Sequence, residues 1–258
     1  LSRETIRLHV ESHGGESGSG SPPLLLIHGA GGSRLHWPPE MRRLPDVHVL
    51  AIDLPGHGES PGPGEHSVEA YAGQVLEWLE SEGLDRVVAA GHSMGGAIAL
   101  TMGLQAPARL AGLVLVSSGA RLRVAPAILD ASAQPDMFPG AVDTIIEWSF
   151  SQSASHRLVE LAQKRMLEVD PDVLHNDFTA CNAFDVMAQL GSIKTPTLIL
   201  CGTQDRLTPP KYSEYLAKEI PNSTLRTIPE AGHMVMLEMP HAVAQALQEF
   251  LTRLPRRD

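Results

Sequence analysis

The run Gly91-His92-Ser93-Met94-Gly95 is a G-x-S-x-G pattern, and it lies between the apolar stretch Val87–Ala90 and a helical pattern over Ala97–Leu104. A strand that turns sharply into a helix holds its corner residue in a strained conformation and lifts that side chain clear of the sheet. Flanking side chains would collide at such a corner, which accounts for glycine two residues before and two after. The incoming helix aims free N–H groups and its positive dipole end at the same point. An ordinary strand-to-helix turn is the plainer reading; the strand before, the helix after and the extra Gly96 weigh against it.

A serine hydroxyl needs a base to remove its proton. There are 12 histidines, so abundance singles out none of them. His233 stands apart because Ala231-Gly232-His233 follows the run Thr224–Ile228 and precedes the last helical pattern. Loops at the C-terminal ends of strands are where open α/β sheets gather their ligands. His92 should project away from Ser93. The run Thr197–Cys201 leads into a loop whose single carboxylate is Asp205. By itself Asp205 reads as a turn residue; in the chain order Ser, Asp, His it reads as the acid that orients an imidazole. The oxyanion of an acyl transfer also needs two donors. The amide of Met94 is one, and the amide of Ala30, in His28-Gly29-Ala30-Gly31-Gly32-Ser33, is the expected other. This glycine-rich loop fits neither phosphate-binding pattern.

These residues need a scaffold that brings distant loops to one edge. Short apolar runs recur at Leu24–Ile27, Val47–Ile52, Val87–Ala90, Leu113–Val116, Thr197–Cys201 and Thr224–Ile228, with a first strand expected near Thr5–Val10. Several are apolar throughout, as parallel strands covered on both faces are. Helical patterns alternate with them, one of them capped by Ser67, and Pro210–Ile220 and His241–Leu254 are two more. The chain therefore reads as α/β with a mostly parallel sheet and helices on both faces. The alternation stops between residues 119 and 190, where helical patterns occupy Ala125–Ala133, Val142–Phe150, His156–Val169 and Val173–Met187. That stretch is too long for a loop. We expect a core of residues 1–118 and 191–258 with a helical cap at 119–190.

Composition bounds the rest. Of 258 residues, 43% are hydrophobic and 19% charged, ordinary for a globular chain, and no apolar run approaches a membrane span. The net charge of −10 argues against a nucleic-acid partner. Cys181 and Cys201 form no CxxC pair and are expected to be reduced thiols, which points to the cytoplasm. No clustered ligand set implies a metal or a cofactor. Composition says nothing of oligomeric state.

The chain resembles the α/β-hydrolase superfamily, most of all its small capped esterases, lactonases and carbon–carbon bond hydrolases. The resemblance rests on His28-Gly29, on Asp53-Leu54-Pro55-Gly56-His57-Gly58-Glu59-Ser60, on the corner at Ser93, on the loop at Asp205 and on Gly232-His233. It implies an eight-stranded sheet with the cap after the sixth strand, and a structural role for the Asp53–Ser60 segment. Serine at the corner argues against haloalkane dehalogenases and epoxide hydrolases, which carry aspartate there, and histidine before it resembles esterases more than carbon–carbon hydrolases. Trp37, Phe138 and Trp148 are candidate substrate contacts, although a cap needs an apolar core of its own. With no row of cationic residues in view, the expected partner is a neutral, small to medium-sized, mainly apolar ester. Lactones and carbon–carbon substrates are alternatives within the same chemistry. A ligand-binding regulator on this fold is the alternative outside it.

Overall fold

The computed structural model describes residues 7–14 and 21–254. Seven strands form one sheet: β1 (Val10–His13), β2 (Leu24–Ile27), β3 (Val49–Ile52), β4 (Val87–His92), β5 (Leu110–Val116), β6 (Thr197–Gly202) and β7 (Ser223–Ile228). Their spatial order is β1-β3-β2-β4-β5-β6-β7, and all pairings are parallel except β1 with β3. Among the described residues ten α-helices accompany them: α1 (Pro39–Arg42), α2 (Val68–Ser81), α3 (Met94–Gln105), α4 (Pro126–Ser132), α5 (Phe138–Ser149), α6 (His156–Leu167), α7 (Pro171–Ala183), α8 (Pro210–Glu219), α9 (Val235–Glu238) and α10 (Pro240–Arg253).

Alternation along the strands divides the interior into two cores. Leu25, Ile27 and Ala89 face α2, α3 and α8 on one side of the sheet. Leu24, Leu26, Val88 and Ala90 face the other side, against Met41 of α1, Leu247 of α10 and apolar residues of α4 and α5. Strands β2, β3, β4, β5 and β6 are buried throughout, which is why they read as continuous apolar runs rather than alternating ones.

The sheet departs from expectation at its first edge. Among the described residues it has seven strands rather than eight, and the helical segment α4–α7 follows the fifth of them. The expected strand at Thr5–Val10 lies partly outside the described residues; the strand present is β1, three residues beyond Arg7 and antiparallel to β3. Its residues are half-buried or exposed, so edge pairing places it rather than a hydrophobic run. Helices α4, α5 and α7 each bury several side chains, whereas α6 buries none completely. No helix among the described residues is long and apolar enough to cross a membrane.

Candidate active site

Ser93 sits between β4 and α3 with φ +52° and ψ −115°, a left-handed backbone unusual for a residue with a side chain. Such a conformation costs on the order of 1–3 kcal/mol and persists only where its surroundings fix it. Here they do: the Ser93 N–H donates to the Val116 carbonyl at 2.9 Å, and the Ser93 carbonyl accepts from the Gly96 N–H (2.9 Å) and the Ser118 hydroxyl (2.8 Å). The flanking glycines are sterically required. A Cβ on Gly91 would lie 2.0 Å from the Gly95 carbonyl oxygen, and one on Gly95 would lie 2.4 Å from that of Ile27.

The imidazole and its acid come from the next two strand ends. Asp205 lies in the turn after β6, buried, and its Oδ1 accepts the amides of Leu207 (2.9 Å) and Thr208 (2.8 Å). Its Oδ2 accepts the Thr208 hydroxyl at 2.8 Å and faces His233 Nδ1 at 3.0 Å. Burial alone would raise the Asp205 pKa; the neighbouring His233 and the Thr208 bonds outweigh it and hold the carboxyl below its usual range. Because an ionised carboxylate only accepts, Nδ1 carries the proton and Nε2 is left as the basic nitrogen. His233 is held from behind as well. His92 Nε2 donates to the His233 carbonyl at 3.0 Å, and the two rings lie 4.8 Å apart. Burial first, and His233 second, lower the His92 pKa well below normal, so His92 stays neutral. The side chain therefore does turn from Ser93, and it supports the histidine loop, a role its sequence position did not suggest. Among the described residues neither Ser93 Oγ nor His233 Nε2 has a hydrogen-bond partner, and neither atom is sealed from solvent. Both residues line one cavity of about 380 Å³. Hydrogen bonds between such groups commonly tighten only when substrate binds.

The glycine-rich loop after β2 passes against the same corner: a Cβ on Gly29 would lie 3.1 Å from that of Ser93. Ala30 lines the cavity, and neither its amide nor that of Met94, the first of α3, meets a protein acceptor among the described residues. Gly31 has φ +60° and donates its N–H at 2.8 Å to Asp177 Oδ2. Asp177 comes from α7, is fully buried, and also accepts from His57 Nε2 (2.8 Å) and the Tyr71 hydroxyl (2.6 Å). His57 Nδ1 faces the Pro55 carbonyl at 2.9 Å, so acceptors stand on both sides of the ring and both nitrogens carry protons. Burial would lower the His57 pKa, but the Asp177 charge and its hydrogen bond prevail and raise it. This buried pair ties α7 to the Ala30 loop, to the turn after β3 and to α2. It gave no signal in the sequence, where Asp177 reads as a polar position on a helix. The Asp53–Ser60 segment is structural, as expected: Asp53 accepts the Arg34 and Glu59 amides at 2.7 and 3.0 Å and pairs with the Arg34 guanidinium.

Of the three aromatic candidates only Trp148 lines the cavity, beside Phe178, Ile128, Ile145 and Val124. Trp37 and Phe138 are buried in the core on the α1, α5 and α10 side of the sheet and do not line the cavity.

Known proteins agree with this architecture. The model of the alpha/beta hydrolase family matches residues 24–246. RutD of Pseudomonas syringae pv. syringae (strain B728a), provisionally named a carbamate hydrolase, is 30% identical over 254 residues, covering 91% of this chain and 95% of its own. A solved thermophilic esterase is 36% identical with a TM-score of 0.80, covering 89% of each chain. A second, from Thermogutta terrifontis, is 30% identical with a TM-score of 0.85 and covers 96% of this chain and 94% of its own.

Proposed function

The chain belongs to the alpha/beta hydrolase family, and on that premise we propose that it is a serine hydrolase of carboxylic esters, with Ser93, His233 and Asp205 as its triad. The observation that carries this reading is the His233 ring, held through Nδ1 by Asp205 at 3.0 Å and lining the cavity that Ser93 also lines. In the proposed reaction His233 Nε2 takes the Ser93 proton as Oγ attacks the ester carbonyl. The oxyanion lies between the Ala30 and Met94 amides. His233 returns the proton to the departing alcohol, and a water activated by His233 then cleaves the acyl-enzyme.

Residues 119–190 form the cap in this reading, and the apolar wall of Trp148, Phe178, Ile128 and Ile145 receives the body of a small to medium acyl or alcohol group. Two buried free thiols, Cys181 and Cys201, support a reducing compartment such as the cytoplasm. A lactone is a cyclic ester open to the same attack, and RutD's name brings carbamates into the test panel.

The test is turnover of simple p-nitrophenyl esters, lactones and carbamates by the wild type and Ser93→Ala, with a fluorophosphonate probe to mark the nucleophile. We expect esters to lead the panel in kcat/KM, label on Ser93 alone, and a loss on the order of 10⁶ in kcat for the variant. Near-wild-type ester turnover by Ser93→Ala overturns the assignment. Negligible turnover throughout, with a ligand that raises Tm, replaces it with a binding function.

A further inference from the structure

The lining of the Ser93 cavity has a charge pattern opposite to that of the whole chain. The protein carries 30 acidic and 20 basic residues, yet among the described residues no carboxylate side chain lines this cavity, whereas Arg123 and Arg206 both do. The rest of the wall is largely apolar, so among the described residues these two guanidinium groups are its only permanent charges.

Their surroundings leave them underused. Arg206 follows Asp205 directly; its guanidinium lies 5.7 Å from the centre of the Trp148 ring, and one Nη meets Glu147 at 3.2 Å. Stacking on an aromatic face orients a guanidinium while leaving its in-plane donors available. Arg123 donates to the Asn182 carbonyl and shares Asp185 with Arg121, each of the two at 3.7 Å from the same oxygen. Asp185 is thus divided between two arginines, so Arg123 has only part of one counter-charge, and Arg206 meets Glu147 through one Nη. Each guanidinium has five N–H donors, most of them uncommitted here. Both side chains are about half exposed, so these contacts are solvent-screened and weak, and an incoming anion can share or replace them at little cost.

We propose that the ester hydrolysed at this site carries an anionic group, a carboxylate in its simplest form, at the end remote from the scissile carbonyl, and that Arg123 and Arg206 receive it. The inference rests on the Ser93 reading and replaces the neutral ester expected from the sequence with an amphipathic one. The apolar body fills the cavity, and the charged end stays at the half-wet arginines rather than being buried. Recognition of this kind acts on binding, so it appears mainly in KM. A two-pronged guanidinium–carboxylate contact, which either arginine can offer, is stronger than an isolated surface pair.

The experiment compares mono-p-nitrophenyl esters of adipic and suberic acid with the neutral esters whose far carboxyl is a primary amide, and with phosphonate-ended analogues, spontaneous hydrolysis subtracted. Wild type is expected to prefer a carboxylate-ended ester over its amide by about tenfold in kcat/KM, mostly through KM, with the preference shrinking as salt rises. In Arg123→Met/Arg206→Met the ratio should fall towards one, while Arg165→Met, whose residue lies outside this cavity, keeps the wild-type ratio. A phosphonate-ended ester that matches or exceeds the carboxylate supports the anion site and moves its natural ligand to the phosphate class. A wild-type ratio at or below one, or a ratio that survives in the double variant, overturns the proposal. Ser93→Ala separates the two readings: if it still hydrolyses these esters the triad assignment fails. If hydrolysis needs Ser93 but ignores the far charge, only the anion site fails.

Discussion

Replacing Asp177 tests how the helical segment is fastened to the Ala30 loop. Its carboxylate accepts from the Gly31 amide at 2.8 Å, His57 Nε2 at 2.8 Å and the Tyr71 hydroxyl at 2.6 Å, all three away from water. Asp177→Ala leaves those donors without an acceptor and a buried imidazolium without its counter-ion. Removing one partner of a buried pair costs about 3–5 kcal/mol. The new cavity adds to this, and deprotonation of His57 gives part of it back, so about 4 kcal/mol is a fair expectation. With a urea m-value near 3 kcal/mol/M for a chain of this size, the unfolding midpoint should fall by about 1–1.5 M. Asp177→Asn keeps one oxygen for Gly31 and His57, and its amide can donate to Tyr71, so the expected cost is about half as large. The charge is lost, and His57 should titrate lower in this variant by NMR. The sign of the linkage follows from the raised His57 pKa. The pair's contribution is fully present below the unfolded histidine pKa, about 6.5, and is lost as pH rises through the folded value. The gap between wild type and Asp177→Asn should therefore narrow on the alkaline side. Because Gly31 adjoins the proposed donor Ala30, kcat should also fall, by about tenfold, less than the 10²–10³ lost when a donor is removed outright. The reasoning is refuted if Asp177→Ala costs under about 1 kcal/mol, or if the asparagine variant is as unstable as the alanine one.

Thr208→Val removes the hydroxyl that reaches Asp205 Oδ2 at 2.8 Å, and should lower kcat several-fold to tenfold with KM nearly unchanged; an effect confined to KM would contradict the role of that bond. Gly95→Ala places a Cβ 2.4 Å from the Ile27 carbonyl oxygen, a backbone clash that should cost about 3 kcal/mol or prevent soluble expression, and normal Tm and activity would be the contrary result. His28 and His92 are buried with pKa values well below normal, burial being the first cause and neighbouring imidazoles the next. His36 is lowered in the same way, to about 4. Such groups stabilise the fold above the unfolded pKa of about 6.5 and withdraw that support as pH falls below it, at up to about 4 kcal/mol per pH unit for the three. Urea midpoints taken from pH 7.5 down to 5 should show that slope, and a flat profile would count against it.

Much of this site could be read before any coordinates. The corner at Ser93, the loops of Asp205 and His233 and the glycine-rich turn each carry local chemistry, because strained or close-packed backbone admits few residue types. What escaped depends on tertiary placement. Asp177 meets Gly31 across 146 positions, and on its own helix it is one more polar residue. Arg123 and Arg206 come from separate loops, so no run of basic residues announces them. Trp37 and Phe138 were candidates because they are large and apolar, properties that suit a core as well as a binding wall. Strand β1 was displaced because edge pairing leaves a weak hydrophobic imprint. Helix α5 starts at Phe138, four residues before the apolar periodicity, with a proline in its first turn that the periodicity does not count.

The backbone of Ser93, at φ +52°, asks for a glycine and holds a serine instead. Relief of that torsion is larger than the added freedom glycine brings to the unfolded chain, and no capping bond from the hydroxyl is forfeited. A chain with glycine there is expected to be chemically silent yet sturdier than its parent. Robustness and reactivity are in direct competition at a single peptide unit, and the silent form is suited to trapping an uncleaved substrate for crystallography.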